Sequence, residues 1–267
     1  MQTTRTFRYA VMKLPLAGAI IAASVLSFIC SGTANAAPPF LPANHALIPI
    51  GQRVHLESAA SQETTDRILG LVGEARTRIA AFYGELTSNP EIVVCTTADS
   101  FRKAGGIGLG FSDGSNILIS PRGGSTAIIS HEWSHVELAS RLGGFAQVVA
   151  KVPQWFDEGL AVLASQAGEF SEEAWLRATA NGRNAPSLRE LESLGDWIRV
   201  TGTNGSNMQL SYGTARREVA KWYAKVGRHG LMRLIDEINH GNSFYAAYWR
   251  IENSADNPPA LRIAAFF

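Results

Sequence analysis

Two cysteines in 267 residues are too few for a disulfide framework, and their placement weakens the case further. Cys30 lies in an apolar N-terminal run. Once that run is cut away only Cys95 is left, so the core alone must hold the fold. Charge of one sign is also lacking: 24 Lys+Arg stand against 23 Asp+Glu, with no basic patch, which argues against a nucleic-acid partner. No internal repeat or low-complexity tract is present. The glycines at Gly105-Gly106-Ile107-Gly108-Leu109-Gly110-Phe111 lack the spacing of a dinucleotide or phosphate loop, since no Gly-Lys-Ser/Thr follows, and they read as a flexible loop.

The chain opens with the features of an export signal. Arg5, Arg8 and Lys13 form a basic start, Leu14 to Cys30 is almost wholly apolar, and Thr33-Ala34-Asn35-Ala36-Ala37 offers a small-residue cleavage site after Ala36. An uncleaved anchor is the rival, disfavoured by Pro15, Gly18 and a run short for a bilayer. A lipoprotein reading of Cys30 is weaker still, because Ile29 fills the preceding position. Removal of residues 1–36 lowers Lys+Arg from 24 to 21 against an unchanged 23 acids, for a net charge near −2. The expectation is an exported protein, periplasmic or secreted, that contacts the membrane only through residues 1–36 before cleavage. Residues 37–267 then form one domain, with a sheet and its packing helices over about 45–165 and a helical lobe over about 170–267.

Along that domain, Pro38-Pro39-Phe40-Leu41-Pro42 reads as a tether and residues 46–56 as a strand or two. Ser61 to Tyr83 carries Ile68, Leu69, Val72, Ala75, Ile79 and Phe82 at helical spacing. Glu91 to Thr96 reads as a short buried strand that holds Cys95 as an inert thiol, and Asp99 to Lys103 as a helical turn. Asp113-Gly114 turns the chain into Asn116-Ile117-Leu118-Ile119-Ser120, a strand placed equally well at a sheet edge or in its interior.

The chemistry begins at His131-Glu132-Trp133-Ser134-His135. Gly123-Gly124 break the chain before it, Ser125 or Thr126 can cap a helix, and Gly143-Gly144 end one, giving about seventeen residues with the motif near the middle. Ile128, Ile129, Val136 and Leu142 would bury one side. With 3.6 residues per turn, positions 131 and 135 fall about 40° apart around the axis and roughly 6 Å apart along it, so both imidazoles reach one metal ion. Glu132 then sits where it can take a proton from water at that ion. A chain of this length matches the three fixed positions by accident on the order of once in a hundred, so a second signal is required.

That signal is Pro153-Gln154-Trp155-Phe156-Asp157-Glu158-Gly159-Leu160-Ala161, where Pro153 suits a helix start and Glu158 follows His135 by 23 positions. An acid in so apolar a helix is costly to bury unless paired, and a zinc ion would balance it. Over roughly residues 90 to 165 these two motifs resemble the gluzincins, zinc metallopeptidases whose third ligand is a glutamate on the helix after the motif helix. The resemblance implies one Zn²⁺ on His131, His135 and Glu158, with Glu132 as general base. It implies an α+β fold: a small mixed sheet, an active-site helix and a mainly helical C-terminal lobe, in the manner of a minimal thermolysin-like domain. Asp157 either hydrogen-bonds a ligand or is a plain helix-surface acid. Metzincins are excluded, because Leu138 and Arg141 occupy their Gly and third His positions. A dedicated aminopeptidase lacks support, since no Gly-x-Met-Glu-Asn segment precedes the motif.

The last hundred residues read as helices: a capping box at Ser187-Leu188-Arg189-Glu190, a helix from about Ser211 to Val226, another over Leu231 to Ile238, and an aromatic stretch from Ser243 that packs back. In gluzincins a tyrosine from this lobe often donates to the tetrahedral oxyanion, so the resemblance points to Tyr212, with His229 the weaker choice. The reading is an exported zinc peptidase acting on peptide or protein substrates. A non-catalytic or partner-activated zinc-site protein, serving as a cell-envelope binding module, is the alternative.

Overall fold

In a computed structural model of the chain, residues 47–202 and 205–256 are described. The export signal, the 38–42 tether and the end of the aromatic stretch lie outside the described residues. The fold is α+β, a small mixed sheet with predominantly helical structure.

The sheet runs β1 (Ile48–Gly51), β2 (Val54–Leu56), β3 (Ile92–Val94), β5 (Ile117–Ile119), β4 (Gly110–Ser112) from edge to edge. Strands β2, β3 and β5 are parallel, and β1 and β4 close the two sides antiparallel. The pleat sorts side chains by parity. Val54, Leu56, Ile92, Val94, Ile117 and Ile119 join the main core with the helices, while Val93, Phe111 and Leu118 join Cys95 and Phe101 in a smaller cluster behind. Phe101 comes from α2 (Ala98–Lys103), and burial pushes the Cys95 thiol up to about 12, which keeps it inert.

One sequence expectation is corrected here, and the open choice between edge and interior for Ile117–Ile119 is decided. Gly110 and Phe111 are not loop but strand β4, because Asp113-Gly114 forms a tight turn in which Asp113 Oδ1 accepts from the amides of Ser115 and Asn116 and Gly114 takes a positive φ of 84°. The hairpin this makes puts β5 inside the sheet, so β4 and not β5 is the edge on that side.

Helix α1 (Gln62–Tyr83) starts at Ser61, whose side chain accepts from Thr64 N, and packs on α3 (Thr126–Leu142). Ser125 caps α3 through Ile128 N, and Gly143 ends it in the left-handed conformation at φ 88°. The apolar stripe was expected on one side only. Instead 13 of the 17 residues are buried, because β4, β5, α1, α4 (Phe145–Lys151), α5 (Gln154–Ser165) and α8 (Met208–Asn239) surround the helix.

Helix α6 (Glu172–Ala178), a 3₁₀ turn at Leu188–Leu191 opened by the expected capping box, and α7 (Leu194–Thr201) lead to α8 (Met208–Asn239). Gly227, with φ 63° and ψ −170°, breaks α8 where the sequence pattern changed helices. Beyond it α9 (Phe244–Asp256) packs Phe244 and Tyr248 onto Trp155, Phe156 and Trp222. One contiguous apolar core therefore joins sheet, α3, α5 and α8.

Candidate metal centre

Helix α3 presents His131 and His135 one turn apart, and α5 brings Glu158 to them. His131 Nε2 lies 3.2 Å from His135 Nε2 and 3.3 Å from Glu158 Oε2, and His135 Nε2 lies 3.7 Å from the same oxygen. Three ligand atoms placed 2.0 to 2.2 Å from a tetrahedral ion stand about 3.3 to 3.6 Å from one another, so this triangle has the edges of a cation cage. Glu158 Oε2 is buried and, despite its short distances, takes no hydrogen bond. Its lone pairs face the same space as the imidazole nitrogens.

The supporting atoms fix which atoms face that space. Asp157 Oδ1 accepts from Nδ1 of His135 at 2.9 Å, which turns Nε2 toward the triangle, where it becomes a ligand once a cation displaces its proton. Asp157 is therefore not a surface acid: it is buried between the two helices. Gln154, one turn before Glu158, donates from Nε2 to Glu158 Oε1 at 3.1 Å and leaves Oε2 free for a cation. From the sequence the helix start falls on Pro153 and Gln154 carries no assigned role. Its spacing of four from Glu158 on a buried face was the available signal. Nδ1 of His131 has no hydrogen-bond partner.

No family model, curated protein or solved structure matches this chain.

Glu132 is 4% exposed, and no hydrogen bond reaches its carboxylate among the described residues. Burial raises its pKa; the two imidazoles pull it back, and the Glu158 and Asp157 carboxylates push it up again. On the next turn Glu137 makes the contrast. It is fully buried but accepts from the amides and hydroxyls of Thr87 and Ser88 and from Arg141 Nε. One helix thus carries a saturated structural carboxylate and an unsaturated one beside the imidazoles. Burial works against a charge on His135, yet Asp157, Glu158 and Glu132 outweigh it and raise its pKa to about 10. The same three carboxylates make the site attractive to any cation.

Edge strand β4 crosses directly over Glu132. A Cβ built on Gly110 would stand 2.7 Å from Glu132 Cγ and 2.8 Å from Oε1, an approach open only to glycine.

Tyr212, in the first turns of α8, is fully buried. Its ring stacks on Phe170 at 5.1 Å, meets Trp197 edge-on at 4.9 Å, and stands 6.1 Å from the His131 ring. The structure thus brings Tyr212 beside the cluster. His229 is exposed on the second half of α8 and is not among the residues that converge.

Proposed function

We propose that this protein is an exported zinc-dependent peptidase of the gluzincin kind, with His131, His135 and Glu158 as metal ligands. The observation that carries the reading is the triangle of ligand atoms with edges of 3.2, 3.3 and 3.7 Å beside an unpartnered buried glutamate. Two imidazoles and one carboxylate are a donor set suited to zinc, and they leave a fourth position open. When bound, such an ion supplies Lewis acidity, acidifying water and polarising an amide carbonyl.

The chain's own residues do the rest. Glu132, buried and without hydrogen-bond donors among the described residues, takes the proton of the attacking water and delivers it to the leaving amine. Tyr212, beside His131, donates to the oxyanion of the tetrahedral intermediate. Asp157 and Gln154 hold His135 and Glu158 in their ligating orientations. No strand pairs with the outer side of β4 among the described residues, so an extended substrate can add there by backbone hydrogen bonds and pass Glu132 at Gly110.

The deciding experiment uses the purified mature chain with casein and a peptide library. Cleavage that a chelator abolishes and zinc restores, lost in Glu132→Gln while one zinc per chain stays bound, is the expected result. A Glu132→Gln protein with full activity would refute the assignment of the base.

A further inference from the structure

A pocket of about 540 Å³ opens where β3, β5 and the start of β4 meet α2. It lies outside the carboxyl ends of two parallel strands: Thr96 follows β3, and Ser120 follows β5. In open sheets with parallel strands that crevice is where ligands bind. The pocket also adjoins the metal centre along the chain, since Leu109 on its wall precedes Gly110, the residue lying against Glu132.

The lining divides in two. Phe101, Ile107, Leu109 and Pro121 make it mostly apolar, and Ile107 is 44% exposed there. Arg102 and Arg122 supply the charge. Arg122 makes no ion pair or hydrogen bond among the described residues. Arg102 reaches Asp99 only at 3.6 Å, while Lys103 holds that same acid at 2.7 Å. One further group has no partner: the Ser120 hydroxyl, on a residue 5% exposed, lines the pocket with its oxygen buried and unbonded. An unpaired buried hydroxyl carries a desolvation cost that a ligand acceptor would remove.

We infer that this pocket selects the substrate: it takes a bulky apolar side chain with a carboxylate beside it, the side chain against Phe101 and Leu109, the carboxylate on Arg122, Arg102 and the Ser120 hydroxyl. The inference rests on the peptidase reading for its meaning, because a segment lying along β4 past Glu132 runs into this pocket at Leu109. The volume suits such a residue pair. The carboxylate can be an acidic side chain or a peptide's own C-terminus, since the two arginines and the hydroxyl recognise the same group.

The test measures binding, so that it does not depend on turnover. Fluorescein-labelled decapeptides with a central Phe-Asp, Phe-Asn, Phe-Lys or Gly-Asp pair are titrated by polarisation against the zinc-loaded full mature chain carrying Glu132→Gln. Two further peptides end in Phe as the free acid or as the amide. Phe-Asp, Phe free acid or both should bind about 10- to 100-fold more tightly than their uncharged or basic counterparts. Gly-Asp should lose most of that affinity. Arg122→Glu, an exposed change that spares the fold, should abolish the preference, and Ser120→Ala should weaken it. Equal binding of all peptides, absence of saturable binding, or a preference unchanged in Arg122→Glu would overturn the inference. Casein turnover by the unsubstituted chain is scored separately: no turnover together with an Arg122-dependent carboxylate preference sinks the peptidase and keeps the pocket.

Discussion

Asp157 Oδ1 lies 2.9 Å from Nδ1 of His135, and that single hydrogen bond determines which ring nitrogen is left to meet a cation. Asp157→Asn can present its amide to the same nitrogen and so favours the wrong tautomer. Loss of such a partner typically weakens metal binding by about 10- to 100-fold. Zinc competition titrations should show that loss in Asp157→Asn, with an unchanged far-UV circular dichroism spectrum. An affinity equal to that of the parent chain would show that Asp157 does not orient the ring.

Gly110 sets a second test, of position and not of charge. Its backbone is not in the left-handed region, so alanine is conformationally acceptable, but the new methyl would press on Glu132 Cγ, Glu132 Oε1 and Ile128 Cγ2 at 2.7 to 2.9 Å. Neither neighbour can yield without moving the carboxylate or the motif helix. Displacement of a reacting group by about 1 Å costs on the order of 100-fold in rate. Gly110→Ala should therefore keep its zinc and lose turnover to that extent, read as kcat on a cleaved peptide.

Glu137 predicts a loss of stability with no chemistry attached. Five donors converge on its buried carboxylate: two amides, two hydroxyls and the Arg141 guanidinium. Ser88 Oγ in turn accepts from Trp133 Nε1, so the network ties the segment after α1 to the motif helix. Glu137→Ala strands those donors and an arginine charge, a change that costs about 3 to 5 kcal/mol. Thermal unfolding should move down by roughly 6 to 20 °C. Zinc stoichiometry at low temperature should stay at one.

Tyr212→Phe separates packing from hydrogen bonding at the same residue. The ring contacts with Phe170 and Trp197 are kept, and only the hydroxyl is lost. If that hydroxyl serves the oxyanion, kcat falls by about 100- to 1000-fold while KM and metal content hold. An unchanged kcat would return Tyr212 to a packing role.

The parts of the site legible in the sequence were those set by local periodicity. Positions 131 and 135 share a helix face by geometry alone, and Ser125 and Gly143 mark the ends of α3 by their capping chemistry. Glu158 was legible as an acid in an apolar helix, which must find a counter-charge. The missed parts depend on how separate elements meet. Whether Ile117–Ile119 lay at an edge turned on the β4 hairpin, whose strand was hidden behind glycines that looked like a loop. Those glycines had a positional reason: residue 110 must pass over Glu132 without a side chain. Gln154 was missed because hydrogen bonding to one oxygen of Glu158 matters only once the other oxygen is known to face the imidazoles.

Removal of the metal supplies the last prediction. Without a cation, the triangle holds Glu158 Oε2 unbonded in a buried site with Glu132 and Asp157 close enough to shift the same imidazole. An ion that binds only the folded chain adds RT ln(1 + [L]/Kd), about 4 kcal/mol at a thousandfold excess over Kd. For a chain of this size that is roughly 8 to 16 °C in Tm. Thermal scans in zinc and in chelator should differ by that amount. His135→Ala, which removes one ligand, should unfold at the same temperature in both. A parent chain whose Tm ignores zinc would mean that the three ligand atoms do not bind the ion, however well their spacing fits it.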